Sequence, residues 1–486
     1  MKHALLLKRS ILVLGVILML LPVTVRLLNH EPLQPGSASY GHARIADIIA
    51  RQGIPSTDPA MPERLYVPQA IDLVLAFFML FLPRTLAALL VPFLLGIATL
   101  ACLNKAIEQW KLPQNLALGT RLAFVLSPFF VGTFTQAAPA ALGVFLLTLL
   151  FALLAPPRDQ LSPARSVLRL LAITATTAVF ATLGVGPAIV AIAVPLLARV
   201  FRKQLPAALA LSSVAAFIVL IAFTLPSFLQ TEQADFAKPM PVVHAISDFS
   251  GADSLSLFAW LLGGIGLVML WRHKRRHYAV MIATVLVLAG ALVVPSLLSA
   301  AHIVLAVLAG YALAFFAAMH WEFEDIKTLT LLVLVCGLLF STLAHAMALA
   351  HGPPSQEFKS AALAAQKTLP ENATALTLPE DGFAFAYWSG RGVYLDGWAA
   401  QTPNANERWD VAQAVWHAQD IERARPLLLK NGIGALVITQ DMRDGKVWDL
   451  PGQDLLFLLR NNETFKNAHR SSSVDIWAVN PAPNGQ

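Results

Sequence analysis

A series of apolar runs, most of them roughly 20 residues long, recurs between residues 10 and 351 and alternates with short polar loops. A helix of about 20 residues at about 1.5 Å rise per residue spans the roughly 30 Å hydrocarbon core of a bilayer, so each run reads as a membrane span. Runs at 10–25, 85–103, 117–133, 138–155, 167–182, 184–200, 206–225, 256–271, 278–297, 301–319 and 328–351 predict eleven spans. The 486-residue chain is 57% hydrophobic and 13% charged, against about 45–50% apolar and about 25% charged residues in soluble domains. A soluble globular enzyme is thereby excluded. Cys102 and Cys336 both lie within apolar segments, which leaves no disulfide framework for an exported domain.

The net charge of +6 does not mark a nucleic-acid binder, because the basic residues sit in short loops between spans. With the N-terminus cytoplasmic, the inner loops carry Lys105 and Lys111, Arg158 and Arg165, Arg199, Arg202 and Lys203, Arg272, Lys274, Arg275 and Arg276, and Lys327. The opposite loops are nearly bare. Residues 10–25 read as a first span rather than a cleaved signal, since no small-residue cleavage site follows them. The apolar stretch 71–82 is too short to span and reads as interfacial or re-entrant, which preserves the charge parity. The expected organisation is a transmembrane domain over 1–353, with a first external loop over 28–84, and an extracytoplasmic α/β domain over 354–486. In the latter, helical patterns at 355–368, 406–431 and 453–461 alternate with strand patterns at 375–378, 392–395, 434–439 and 474–479. The chain is thus expected to be an integral protein of the plasma membrane or an equivalent membrane.

The spans contain almost no ionisable groups beyond His302, His345 and terminal residues such as Arg121, so no ion relay is visible and a coupled carrier is disfavoured. No internal repeat is seen either, as many carriers would show. Chemistry is expected at the external face. There the first loop holds Tyr40-Gly41-His42-Ala43-Arg44, an amphipathic pattern through Ile45, Ile48 and Ile49, and the turn Gly53-Ile54-Pro55-Ser56-Thr57-Asp58-Pro59. Later come Ala245-Ile246-Ser247-Asp248 before a span, Ala301-His302-Ile303 at the start of another, and Gly382 to Asp396 in the exported domain with Tyr387, Trp388 and Arg391.

This order of elements resembles the catalytic-subunit family of oligosaccharyltransferases, membrane glycosyltransferases of the GT-C class. The resemblance implies a GT-C fold and transfer of a sugar or oligosaccharide from a polyprenyl-phosphate-linked donor to an acceptor at the extracytoplasmic face. It implies catalytic roles for Asp248, His42 and Glu380, donor-phosphate binding by Arg44 and His302, and acceptor binding by Tyr387, Trp388 and Arg391. It also implies a divalent ion, Mn²⁺ or Mg²⁺. Ala38 stands where the family has a metal-binding aspartate, and the turn 133–138, where an acidic pair is expected, has no carboxylate, so the metal ligands stay unassigned. Leu378-Pro379-Glu380 replace the family's Trp-Trp-Asp signature, with only the acid kept. Expected partners are membrane lipid, a lipid-linked glycan and a protein acceptor. The residues also admit plainer readings: Asp248 as a helix N-cap, His302 as an interface-facing histidine, Tyr387, Trp388 and Arg391 as core packing, and Asp47 and Asp58 as helix-terminal anchors. The missing carboxylates leave open a second class of function, a non-catalytic relative that binds a lipid-linked glycan or a partner protein.

Overall fold

The computed structural model describes residues 2–155, 171–177, 179–180, 255–272, 274–294 and 297–480. Helix α1 (Lys2–Leu28) leads into α2 (Ala38–Gln52), the hairpin β1 (Thr57–Asp58) and β2 (Met61–Leu65), and α3 (Ala70–Met79). The bundle continues with α4 (Arg84–Gln109), α5 (Gln114–Val125), α6 (Pro128–Thr135), α7 (Pro139–Leu154), α8 (Leu257–Trp271), α9 (Lys274–Val293), α10 (Leu298–Ala318) and α11 (Glu324–His351). Among the described residues, four helices are long and apolar enough to cross a membrane, or five if the bent pair α5 and α6 counts as one span. The expected spans at 184–200 and 206–225, and most of 167–182, lie outside the described residues, as does Asp248.

The continuous span expected over 117–133 is instead broken, with α5 and α6 meeting at a 55° bend. Pro128 is the cause. It starts α6 and forces Ser127 into an extended conformation (φ −115°, ψ 130°), which a straight helix cannot contain. Two glycines then let α5 and α10 touch backbone to backbone: a Cβ on Gly119 would stand 2.7 Å from the Gly310 carbonyl oxygen, and one on Gly310 would stand 2.4 Å from the Thr120 amide nitrogen. Small residues at such crossings are how helices pack closely without a hydrophobic driving force from lipid.

The segment 71–82 forms the short helix α3, whose faces differ. Ile71, Asp72, Leu75 and Ala76 are buried, while Leu73, Phe77 and Leu80 are exposed. The C-terminal domain holds a five-stranded sheet in the order β4 (Gly392–Val393), β3 (Thr374–Leu376), β5 (Ile433–Thr439), β7 (Val474–Val479), β6 (Phe465–Arg470). The first three strands run parallel and the last two antiparallel to their neighbours. Alternation along β5 sends Ala435 and Val437 to one face and Leu436 and Ile438 to the other. The first face is covered by α12 (Gln356–Thr368) and α13 (Pro379–Ser389), and its core is continuous with that of α2 and the bundle. The second is covered by α14 (Ala405–Trp416) and α15 (Ile421–Lys430), with Trp416 and Trp448 in its core. Neither β6 nor α13 is visible in the sequence pattern: Lys466, Asn467, His469 and Arg470 make β6 a polar edge strand, and α13 is apolar all round rather than amphipathic.

The domain is fastened to the rest of the chain at several places. Arg26, fully buried near the end of α1, donates from Nη1 to the carbonyls of Gly352 (2.7 Å), Leu349 (3.2 Å) and Ala350 (3.3 Å), and from Nη2 to Pro354 (2.6 Å). These carbonyls include the orphan acceptors at the end of α11, so one cation caps the last span and fixes where the domain begins. A second fastening is the surface between α2 and α13, described next.

Candidate functional site

Helix α2 meets α13 through Gly41, where a Cβ would lie 2.9 Å from the Phe383 ring. That contact sets the positions of the side chains on either side of Gly41. Tyr40 enters an aromatic cluster, 5.2 Å from Tyr387 and 4.7 Å from Trp388 between ring centroids, with its hydroxyl donating to the Gln34 carbonyl at 3.0 Å. His42 turns to the other side, beneath Trp398 at 4.9 Å. Its Nδ1 lies 2.7 Å from Asp72 Oδ1, and the second oxygen of Asp72 accepts from the Tyr66 hydroxyl at 2.6 Å. All three residues come from the segment 28–84, and both His42 and Asp72 are buried. Burial, with the Asp72 charge beside it, holds the Tyr66 phenol above its ordinary pKa, so Tyr66 stays a donor to the carboxylate. A carboxylate that fixes one imidazole nitrogen determines the orientation and tautomer of the ring and leaves Nε2 as the nitrogen available for proton transfer. Asp72 carries no sequence signal of its own, because it sits in an otherwise apolar stretch.

On the other side of Trp398 is a buried network of four charges. Arg64 holds Asp396 with two bonds of 2.7 Å and Asp58 with one of 2.5 Å, and Asp58 also takes Arg44 at 2.7 Å. The Arg64 guanidinium lies 5.4 Å from the Trp398 ring. Burial alone would raise the pKa of Asp58, but Arg44 and Arg64 outweigh it and hold that carboxyl below the usual carboxylate range. The network joins β1, β2 and the stretch after β4, so the Asp58 turn is the bolt between the first loop and the C-terminal domain.

Arg44, expected at the donor phosphate, therefore has its charge matched by Asp58, although its Nε is left without a partner. His302 is buried on α10 against Phe124 (4.4 Å) and Phe129 (5.3 Å), and its Nε2 has no hydrogen bond. Tyr387 and Trp388 line the junction with Tyr40, and the Arg84 guanidinium lies over the Tyr387 ring at 4.3 Å. Arg391 donates to the carbonyls of Gln366 (2.7 Å) and Leu369 (2.9 Å), securing the end of α12. Glu380 is an exposed partner of Lys446 at 3.2 Å, which also binds Asp441 at 2.7 Å. The structure thus brings His42 together with Tyr40, Tyr387 and Trp388 around one junction, while Glu380, His302 and Arg391 make their contacts elsewhere. Asp47 pairs with Arg51 one helical turn away at 2.9 Å.

The two positions where the resemblance places metal ligands are taken up by hydrogen bonds. Ser39, next to Ala38, accepts the Ala137 amide at 3.0 Å through its hydroxyl, so the start of α2 is closed against the turn after α6 by a neutral hydrogen bond. In that turn Thr135 is bonded to the carbonyls of Val131 and Gly132. Among the described residues no group of three or more His, Cys, Asp or Glu is placed to hold a metal.

No protein-family model matches the sequence, and no curated protein matches it significantly. Solved structures do match the fold. The apo oligosaccharyltransferase of Archaeoglobus fulgidus superposes with a TM-score of 0.64 at 12% identity, over 98% of this chain and 75% of that one. The same archaeal enzyme, AglB, in complex with an inhibitory peptide and a dolichol-phosphate, gives a TM-score of 0.59 at 12% identity, over 95% and 72%. The arabinofuranosyltransferase AftD from Mycobacteria gives 0.56 at 15% identity, over 98% of this chain and 40% of its own length. The chain has the GT-C fold of the oligosaccharyltransferase type.

Proposed function

We propose that this chain is a membrane glycosyltransferase that moves a sugar or oligosaccharide from a polyprenyl-phosphate-linked donor to an acceptor at the extracytoplasmic face, with its N-terminus in the cytoplasm. The observation that carries this reading is the GT-C architecture along 98% of the chain, C-terminal domain included. The archaeal enzyme of that fold binds a dolichol-phosphate and an inhibitory peptide, which supports a lipid-phosphate donor and a protein acceptor here. In the transfer, the bond between the sugar's anomeric carbon and the phosphate oxygen breaks, and the phosphate keeps the electron pair. The acceptor's nucleophilic atom bonds to that carbon and surrenders its proton to a base.

His42 is the base best supported by geometry, since Asp72 holds Nδ1 and leaves Nε2 for the acceptor's proton. Asp248 and Glu380 are the alternative carboxylates for that proton, Arg44 and His302 the phosphate partners that the resemblance implies, and Tyr387 and Trp388 the aromatic wall for the acceptor. The test is reconstitution of the whole protein in liposomes with radiolabelled polyprenyl-phosphate-linked sugars extracted from its native membranes. Label passing from lipid to an acceptor, with free polyprenyl phosphate appearing in step, supports the reading. A donor that is bound and never cleaved overturns it in favour of a lipid-linked-glycan binder.

A further inference from the structure

The first external loop carries four arginines, and three of them are already matched by carboxylates: Arg44 by Asp58, Arg51 by Asp47, and Arg64 by Asp58 and Asp396. Arg26 and Arg391, which flank the same junction, are held by main-chain carbonyls. Arg84 differs from all of them. It is exposed at the start of α4, and among the described residues it has no carboxylate or carbonyl partner, its one contact being the face of the Tyr387 ring at 4.3 Å. A guanidinium stacked on an aromatic ring keeps its N–H groups free in the plane of the fork, where they match two oxygens of a phosphate.

The chain leading up to Arg84 is apolar on its open side. Leu73, Phe77, Leu80 and Phe81 recur at the spacing of one helical face, Phe77 and Phe81 are 58% and 73% exposed, and their rings stand 5.5 Å apart. The opposite face of α3 is buried and contributes Asp72 to the His42 pair. One short helix therefore presents an apolar face outward, supports the proposed base inward, and leads through residues 80–83 to the cation of Arg84 at the start of α4. Arg84 is linked to that base through contacts already described: Tyr387 beneath it touches Tyr40, and Tyr40 precedes His42 by two residues on α2.

We infer that the corner between α3 and α4 is the entry site of the donor, with the isoprenoid chain on Leu73, Phe77, Leu80 and Phe81 and its phosphate on Arg84. The inference rests on the transferase reading above. An amphiphile with one anionic head and an apolar tail matches the cation of Arg84 at the end of this apolar face, and among such amphiphiles the donor is the one that the transferase reading brings to the His42 junction. Arg84 then takes the phosphate contact that neither Arg44, spent on Asp58, nor His302, enclosed by phenylalanines, is free to make.

The test is native mass spectrometry of the full-length protein released from detergent with undecaprenyl phosphate, undecaprenol or phosphatidic acid added. The wild type is expected to retain undecaprenyl phosphate over the other two, and Arg84→Gln to lower that retention about tenfold, the size expected for losing a charge-assisted contact. Arg84→Lys should fall in between, and Phe77→Ser with Phe81→Ser should weaken retention without touching the cation. Arg51→Gln is the charge control and should match the wild type. If the wild type holds undecaprenyl phosphate and Arg84→Gln holds it equally, the entry site is overturned while the transferase reading stands. If phosphatidic acid is retained as well as undecaprenyl phosphate and lost in parallel, the corner is a general phospholipid site and the donor assignment fails. If the wild type keeps undecaprenyl phosphate no better than undecaprenol, the transferase reading itself fails.

Discussion

Replacing Arg64 by alanine should loosen the C-terminal domain from the segment 28–84, and the structure fixes how the loss divides. Arg64 serves two carboxylates that are almost completely enclosed, with side-chain exposures of 3% for Arg64, 2% for Asp58 and 0% for Asp396. After the substitution Asp58 keeps Arg44 at 2.7 Å and the Ala60 amide at 2.9 Å. Asp396 keeps only the Trp398 amide at 2.9 Å. The loss therefore concentrates on one buried carboxylate without a counter-charge, a defect that costs about 3–5 kcal/mol. For a domain of this size that corresponds to a fall in melting temperature of about 10 °C or more. The assay is thermal unfolding in detergent followed by tryptophan fluorescence, to which Trp398 beside Arg64 contributes as one of ten tryptophans, with limited proteolysis as the readout of the junction. The double variant Arg64→Ala with Asp396→Ala removes the orphaned charge and should regain about half of the loss or more, as expected for contacting residues that are not additive. A single variant that melts within about 2 °C of the wild type, or a double variant no better than the single one, would refute the account of a compensated buried network.

Removal of His42 as alanine should lower transfer by about 100-fold or more, the usual contribution of a general base. Asp72→Asn should also lower the rate and change the pH profile, while leaving donor retention in native mass spectrometry intact; an unchanged profile would return the pair to a structural role. Asp381, buried on α13 beside Glu380, has its carboxyl pushed up to about 7, first by burial and then by the Glu380 charge. The folded state then binds more protons than the unfolded state between about pH 4 and 7, so this group's stabilising effect is full at low pH and lost as the pH rises through that window. Melting curves across the window should show that slope in the wild type and lose it in Asp381→Asn. Asp58 acts in the opposite sense: its lowered pKa makes its contribution full above the ordinary carboxylate range and lost as pH falls through the folded value. Gly310→Ala should destabilise the bundle by about 1–3 kcal/mol through overpacking, since its Cβ would meet the Thr120 amide nitrogen at 2.4 Å; a melting temperature equal to the wild type would show that α5 and α10 can part without loss.

Hydrophobic run length by itself determined that this chain lives in a membrane, the composition change after His351 marks off its C-terminal part, and the local motif Tyr40-Gly41-His42-Ala43-Arg44 singles out residues of the first loop. Those features are local: a span, a composition change at residue 352 and a Tyr-x-His-x-Arg pattern are each written in consecutive residues. The order of such elements also pointed to the GT-C fold, which the tertiary structure bears out. The bend after Val125 is not legible in run length, which ignores the backbone restriction that Pro128 imposes. What only the fold decided is which charge faces which. Asp72 is 30 residues from His42, and Asp396 is 332 residues from Arg64. Nothing in the sequence distinguishes an arginine neutralised by an aspartate, such as Arg44, from one left free, such as Arg84. A charge acts through the Coulomb field and the solvent around it, and both depend on distances in space that only the packing of α2 and α3 against the C-terminal domain establishes.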